Sequence, residues 1–190
     1  MMYLQGVHGK SVLRQIMLLA FLVLGLAGCE RQADVAATSH ELQPIVAGDE
    51  CHVCGMEILD FPGPKAQAFI HNRSTPLKFC STVDLFSWLL QPETAAVLAA
   101  VYVHDMADND WEHPDDNRYV DARTAWYVVS HEQRGAMGPT LVSFADKAAA
   151  AQYAGQHGGQ PLAYTDVTLA TLAGLSGAHG AHEDHGAQQH

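Results

Sequence analysis

The chain has 190 residues, room for one domain of ordinary size or two small ones. Apolar residues make up 48% and charged residues 16%, enough for a hydrophobic core, which excludes wholesale disorder. Ten basic side chains against 21 acidic ones give a formal charge of -11. That balance excludes a nucleic-acid binder, which needs a basic face to displace counterions from phosphates. Four cysteines are too few for a disulfide-dense scaffold.

The N-terminus reads as an address. Residues 1–28 contain Lys10 and Arg14 and no acidic residue, followed by an apolar stretch from Ile16 to Leu26. Eleven helical residues rise about 1.5 Å each and fall short of a hydrocarbon core of about 30 Å. A short apolar region behind a basic one is the pattern of a secretion signal. Leu26-Ala27-Gly28-Cys29 resembles a bacterial lipobox, whose cysteine is acylated, with palmitate among the chains, and becomes the first residue. Acyl chains at about 0.8 kcal/mol per buried methylene hold such a protein on a membrane. Glu30 follows Cys29, and without an Asp there the outer membrane is favoured over the inner. Cleavage leaves 162 residues with 8 basic and 21 acidic side chains, and three cysteines, Cys51, Cys54 and Cys80. Three cannot all pair, so at least one thiol stays free in an oxidising compartment.

After this signal peptide (1–28), residues 29–48 are small and polar and read as a tether. Strands are expected over 66–71 and 77–80, separated by the turn Asn72-Arg73-Ser74. Ser81 or Thr82 caps a helix through Leu85, Phe86, Trp88 and Leu90 that stops before Pro92, and an apolar run over 96–104 ends as a strand. The order then recurs: a strand over 125–130, a loop over 134–139, a strand over 140–144, an Ala-rich helix over 146–156 stopped by Gly158-Gly159, and a strand over 161–167. The fold class expected is α+β, two related ββαβ units in tandem over 49–104 and 122–173. Between them, residues 105–121 carry seven acidic residues in seventeen and read as a solvated linker. Residues 174–190, with His179, His182, His185 and His190, read as a disordered tail that could scavenge Cu(II) or Zn(II).

The chemistry concentrates in Cys51-His52-Val53-Cys54-Gly55-Met56. A thioredoxin-like motif opens a helix at its cysteines, but Gly55 and the nearby Phe61-Pro62-Gly63-Pro64 forbid a long one. A structural zinc knuckle needs four N or S ligands, and no second Cys-x-x-Cys exists. A Cys51–Cys54 disulfide remains open. Met56 shifts the weighing, because a thioether suits Cu(I), needs no deprotonation and forms no disulfide. Of the other two methionines of the mature chain, Met137 sits in Gly135-Ala136-Met137-Gly138-Pro139, a loop suited to presenting it, while Met106 in the acidic segment is a weaker candidate. Cys80, beside Phe79 at a strand end, reads as a buried core thiol.

The lipobox at Cys29, the Cys-x-x-Cys-Gly-Met at 51–56 and the Gly-Ala-Met-Gly-Pro loop at 135–139 together resemble the NosL lipoproteins, over about residues 46–172. The resemblance implies a membrane-anchored, periplasm-facing copper chaperone in denitrification that serves the copper-sulfide centre of nitrous oxide reductase. It implies a fold similar to the organomercurial lyase core, and Cu(I) held by Cys54, Met56 and Met137. Cys51, His52 and His131 are weaker candidates. The partners implied are the nitrous oxide reductase apoenzyme and the periplasmic subunit of an ABC transporter complex. A thiolate with two thioethers makes a soft, open, three-coordinate site from which Cu(I) leaves by stepwise ligand exchange. No enzyme is expected, since no Ser-His-Asp order, phosphate loop or paired carboxylates stand out. The alternatives are a thiol-disulfide oxidoreductase, or an organomercurial-lyase-like enzyme, which needs two reactive cysteines plus an Asp.

Overall fold

The computed structural model describes residues 40–136 and 138–177. Cys29, Met137 and the histidines of the tail lie outside the described residues, as do the expected signal peptide and most of the expected tether. Among the described residues no helix is long and apolar enough to cross a membrane.

Strand β1 (Ala66–Ile70) is central in its sheet and buried along nearly its whole length. It pairs antiparallel with β2 (Leu77–Phe79), Ala66 opposite Phe79, and with β3 (Leu98–His104), Ala66 opposite Val103. Between β2 and β3 run helices α1 (Thr82–Leu89) and α2 (Thr94–Val97). Ser81 caps α1 by accepting the Asp84 N–H, satisfying one of the first-turn donors that a helix leaves orphaned. Strand β4 (Tyr119–Asp121) completes the order β2-β1-β3-β4.

A second sheet has the order β8-β5-β9, with β5 (Trp126–Val129) central and antiparallel to both β8 (Val142–Phe144) and β9 (Gln160–Ala163). Where a loop is expected over 134–139, the chain forms a short hairpin of β6 (Arg134–Gly135) and β7 (Gly138–Pro139). Helix α3 (Lys147–His157) begins at Asp146, whose carboxylate accepts the N–H groups of Ala148 and Ala149. It ends at Gly158, φ 74°. The strand expected to run to Val167 stops at Ala163 and passes into a 3-10 turn, Tyr164–Asp166. Helix α4 (Leu169–Gly177) follows, so residues 174–177, expected as the start of the tail, are helical.

Strand periodicity places the core. Tyr127 and Val129 of β5 face the larger cluster, with Ala66, Phe79, Cys80, Leu85 and Phe86. Val128 faces the smaller one, under α3, with Met106, Val142, Phe144 and Ala150. Phe86 of α1 meets Tyr127 edge to face at 4.9 Å, so α1 packs between the two sheets.

Two segments differ from the sequence expectation. The end of the tether is docked: Gln43 exchanges two hydrogen bonds with the buried Gln67, and Ile45 is buried with its N–H on Asp116. The acidic segment 105–121 is built into the fold rather than solvated throughout. It supplies β4, buries Met106, and sets Asp116 against His104 and Arg118 against the Ala107 carbonyl. Met106 packs under α3 in the smaller cluster with Val128, Val142 and Phe144, not in the cluster that holds the thiols, which makes it core filling.

Candidate metal centre

The Cys51–Met56 loop is a closed ring. The Cys51 N–H donates to the Met56 carbonyl and the Gly55 N–H to the Cys51 carbonyl, both at 2.9 Å, and a bridge joins Glu50 and Glu57. Closing so tight a loop requires a left-handed residue, and Gly55 supplies it at φ 71°. No helix starts at Cys54, as the sequence implies; the next element is a 3-10 turn, Ile58–Asp60. The ring is hooked to β2 by the His52 N–H on the Lys78 carbonyl (2.9 Å) and by the Lys78–Asp49 ion pair (2.5 Å).

That hook brings the loop to the end of β2, where Cys80 leads into α1. The Cys54 and Cys80 sulfurs stand 3.5 Å apart, and the Cys80 thiol donates to Asp84 Oδ2 at 3.0 Å. The Sγ atoms of Cys51, Cys54 and Cys80 and a carboxylate oxygen of Asp84 all lie within 4.8 Å of one another. All three thiols are free, so Cys51 and Cys54 form no disulfide here. Cys51 and Cys80 are buried, at 2% and 0% exposure, whereas Cys54 and Met56 are half-buried, so the group opens outward on the Cys54 side.

The electrostatics divide the thiols. The hydrogen bond with Cys80, aided by nearby backbone N–H groups, outweighs burial and lowers Cys51 to about 5, the range of a thiolate at neutral pH. The same bond pushes Cys80 far up, with burial and the Asp84 carboxylate adding to it, so Cys80 holds its proton. Burial raises Cys54. A thiolate, two thiols and a carboxylate in one buried group form a soft donor set suited to a thiophilic ion.

The sequence-predicted residues divide accordingly. Cys54 and Cys51 are in the group, and Met56 ends the ring beside it. His52 is exposed, its ring edge-on to Phe79 and Trp88 at 5.9 and 6.1 Å. His131 donates from Nε2 to the Thr140 carbonyl at 2.9 Å, and burial lowers its pKa. Neither histidine belongs to the group. Met137 lies outside the described residues, but its hairpin is anchored close to the thiols: Thr140 and Leu141, just after β7, hydrogen-bond to Thr82, two residues beyond Cys80. Cys80 and Asp84 are the members that residue-by-residue reading misses. Their signal is faint: a third mature cysteine left without a partner, and an Asp at the i+4 position on the first turn of α1.

Similarity to known proteins agrees with this chemistry. The NosL family model matches residues 42–172. The copper-binding lipoprotein NosL of Stutzerimonas stutzeri is 45% identical over 156 residues, covering 81% of this chain and 80% of that protein. The protein of the same description from Achromobacter cycloclastes is 35% identical over 164 residues, covering 85% and 83%. The crystal structure of the copper chaperone NosL from Shewanella denitrificans superposes with a TM-score of 0.66 at 43% identity, covering 69% of this chain and 98% of that one. A mixed helix-and-strand fold with a buried thiol group beside Cys-Gly-Met, matched over most of its length, makes this chain a member of the NosL family.

Proposed function

We propose that the chain is a membrane-anchored periplasmic Cu(I) metallochaperone that delivers copper for assembly of the catalytic copper-sulfide centre of nitrous oxide reductase. The observation that carries it is the thiol group itself, soft, buried behind and half-open at Cys54 and Met56. Relatives named copper-binding lipoproteins support both the cargo and the anchor at Cys29, and Glu30 in place of an Asp after that cysteine favours the outer membrane. Copper is cargo here, held as Cu(I) by Cys54, Met56 and Met137 and passed on by ligand exchange. The apoenzyme would receive it, with the periplasmic subunit of an ABC transporter complex as docking platform. The chain's halves are proposed as copies of one ββαβ unit, similar to the organomercurial lyase core, a reading supported by the shared strand order of β2-β1-β3 and β8-β5-β9.

The test is an anaerobic titration of the full chain with Cu(I) against a chromogenic chelator strong enough to strip weak histidine sites. One Cu(I) is retained by the wild type, lost in Cys54→Ser and weakened in Met137→Ala; unchanged retention in Cys54→Ser sinks the assignment. One observation favours a second reading, cleavage of a mercury–carbon bond, because Asp84, accepting from the Cys80 thiol, completes the set of reactive cysteines plus an Asp that such chemistry needs. The C–Hg bond would break as the Cys80 proton forms C–H, with mercury left on the thiolates. Release of the hydrocarbon from an organomercurial would establish it, and none would remove it.

A further inference from the structure

We infer that Cys80 is also a copper ligand, and that Cys51, Cys54 and Cys80 form a second, deeper position for Cu(I) behind the outer one of Cys54, Met56 and Met137. The inference rests on the reading of Cys54 as a ligand and extends it inward.

Geometry comes first. Bonds of about 2.3 Å from a first-row d10 ion to three thiolates set the sulfurs about 4 Å apart. The three Sγ atoms already lie within 4.8 Å of one another, the Cys54–Cys80 pair at 3.5 Å, so sub-ångström side-chain shifts complete a trigonal site. Cys80 is held for this role. It leads into α1, and its partner Asp84 is fixed by Ser81 in both directions: Ser81 Oγ donates to Asp84 Oδ2 at 2.9 Å and accepts the Asp84 N–H at 3.1 Å. A soft monovalent ion prefers three sulfurs to a carboxylate, so Asp84 stays outside the coordination sphere and positions Cys80. Ligand depth then orders the two positions. A partner's donors reach Cys54 and Met56, which are half-buried, but not Cys51 and Cys80 in the core.

Cu(I) moves between them by substitution, keeping Cys54 throughout. Each bond to a thioether breaks as one to a thiolate forms, no electron moves, and the Cys80 proton goes to water. The inner position retains the ion against weak competitors, and the outer one presents it for transfer.

The test uses the full chain in detergent, loaded anaerobically with one Cu(I), and follows its loss to excess chromogenic chelator. Cys80→Ser keeps a hydrogen-bond donor for Asp84 and is expected to release copper at least about tenfold faster than wild type, the smaller end of what even outer-shell changes cost metal sites. Cys80→Ala, which removes the donor as well, should do the same, and circular dichroism checks that both are folded. X-ray absorption on the wild type gives a readout independent of any variant: more than one thiolate per copper is expected, from occupation of the inner position alongside the outer, and one thiolate with two thioethers throughout overturns the inner position. Wild-type release rates in both Cys80 variants, with copper lost in Cys54→Ser, overturn it while leaving the outer site standing. Copper retained in Cys54→Ser overturns the underlying reading instead. Displacement of Cu(I) by Zn(II) that depends on Asp84 also overturns it, because it marks a four-coordinate divalent site.

Discussion

Ser81 shows how much one capping residue decides. By holding the Asp84 carboxylate, it orients the group that binds the Cys80 thiol, so a helix start doubles as part of the candidate metal centre. Local sequence makes Ser81 legible as a cap, because Ser followed three residues later by an acid is a first-turn pattern. Gly159 is legible in the same way, as a helix stop, but its demand is stricter than stopping α3. It adopts φ 99°, and a Cβ there would press on the Val129 carbonyl oxygen and stand 2.9 Å from Val128 Cγ1. Gly159→Ala should therefore destabilise the fold by about 1–3 kcal/mol through strain and displacement of β5. Urea unfolding would read this, with Cu(I) retention unchanged because the thiols lie elsewhere; an unshifted midpoint would contradict the close approach.

At the scale of elements, the thiol group depends on three pieces meeting: the Cys51–Met56 ring, the end of β2 and the start of α1. The ring is tied to β2 through His52 and Lys78, and α1 to the second sheet through Thr82. Thr82 Oγ1 donates to the Leu141 carbonyl at 2.6 Å, accepts the Leu141 N–H at 3.2 Å and lies 3.1 Å from Thr140 Oγ1, all buried. Thr82→Val keeps the shape and strands these groups without partners, which should cost about 1–3 kcal/mol. Loss of this magnitude in urea unfolding is the expected outcome, and a near-neutral change would show that the two sheets are held by apolar packing alone. The hairpin that carries Met137 follows the same logic. A glycine-flanked loop is readable in the sequence, whereas its anchoring near α1 is a matter of long-range contact.

For the whole molecule, the buried histidine on β3 couples stability to pH. His104 is 1% exposed; its Nδ1 accepts the Lys65 N–H at 3.1 Å and its Nε2–H points to Asp116 Oδ1 at 3.2 Å. Burial lowers its pKa despite the Asp116 carboxylate, and burial lowers His131 too. Between the folded values and the ordinary 6.5 the unfolded chain binds more protons, so stability falls as pH drops from about 7.5 towards 5.5. Burial alone would raise Asp116, but hydrogen bonds from His104 and the Ile45 N–H hold it below the usual carboxylate range. Its contribution is present above its ordinary 3.8 and is lost only in more acid solution. Thermal unfolding should thus show a lower midpoint at pH 5.5 than at 7.5, with a shallower dependence in His104→Gln; a flat wild-type profile would contradict a neutral buried imidazole.

Features that depend on near neighbours could be read directly from the chain. Helix starts at Ser81 and Asp146, the stop at Gly158, the central strands and the non-helical Cys-x-x-Cys loop follow from caps, periodicity and glycine, whose effects act within a few residues. The soft donors at Cys51, Cys54 and Met56 were legible for the same reason, falling within six consecutive residues. That Cys80 and Asp84 join them, that Met106 is core, and that residues 40–48 and much of 105–121 dock on the first sheet emerges only in the folded chain. Those outcomes rest on strand pairing and burial between residues far apart in the chain. A cysteine at a strand end is written identically whether it packs against a phenylalanine or completes a metal site.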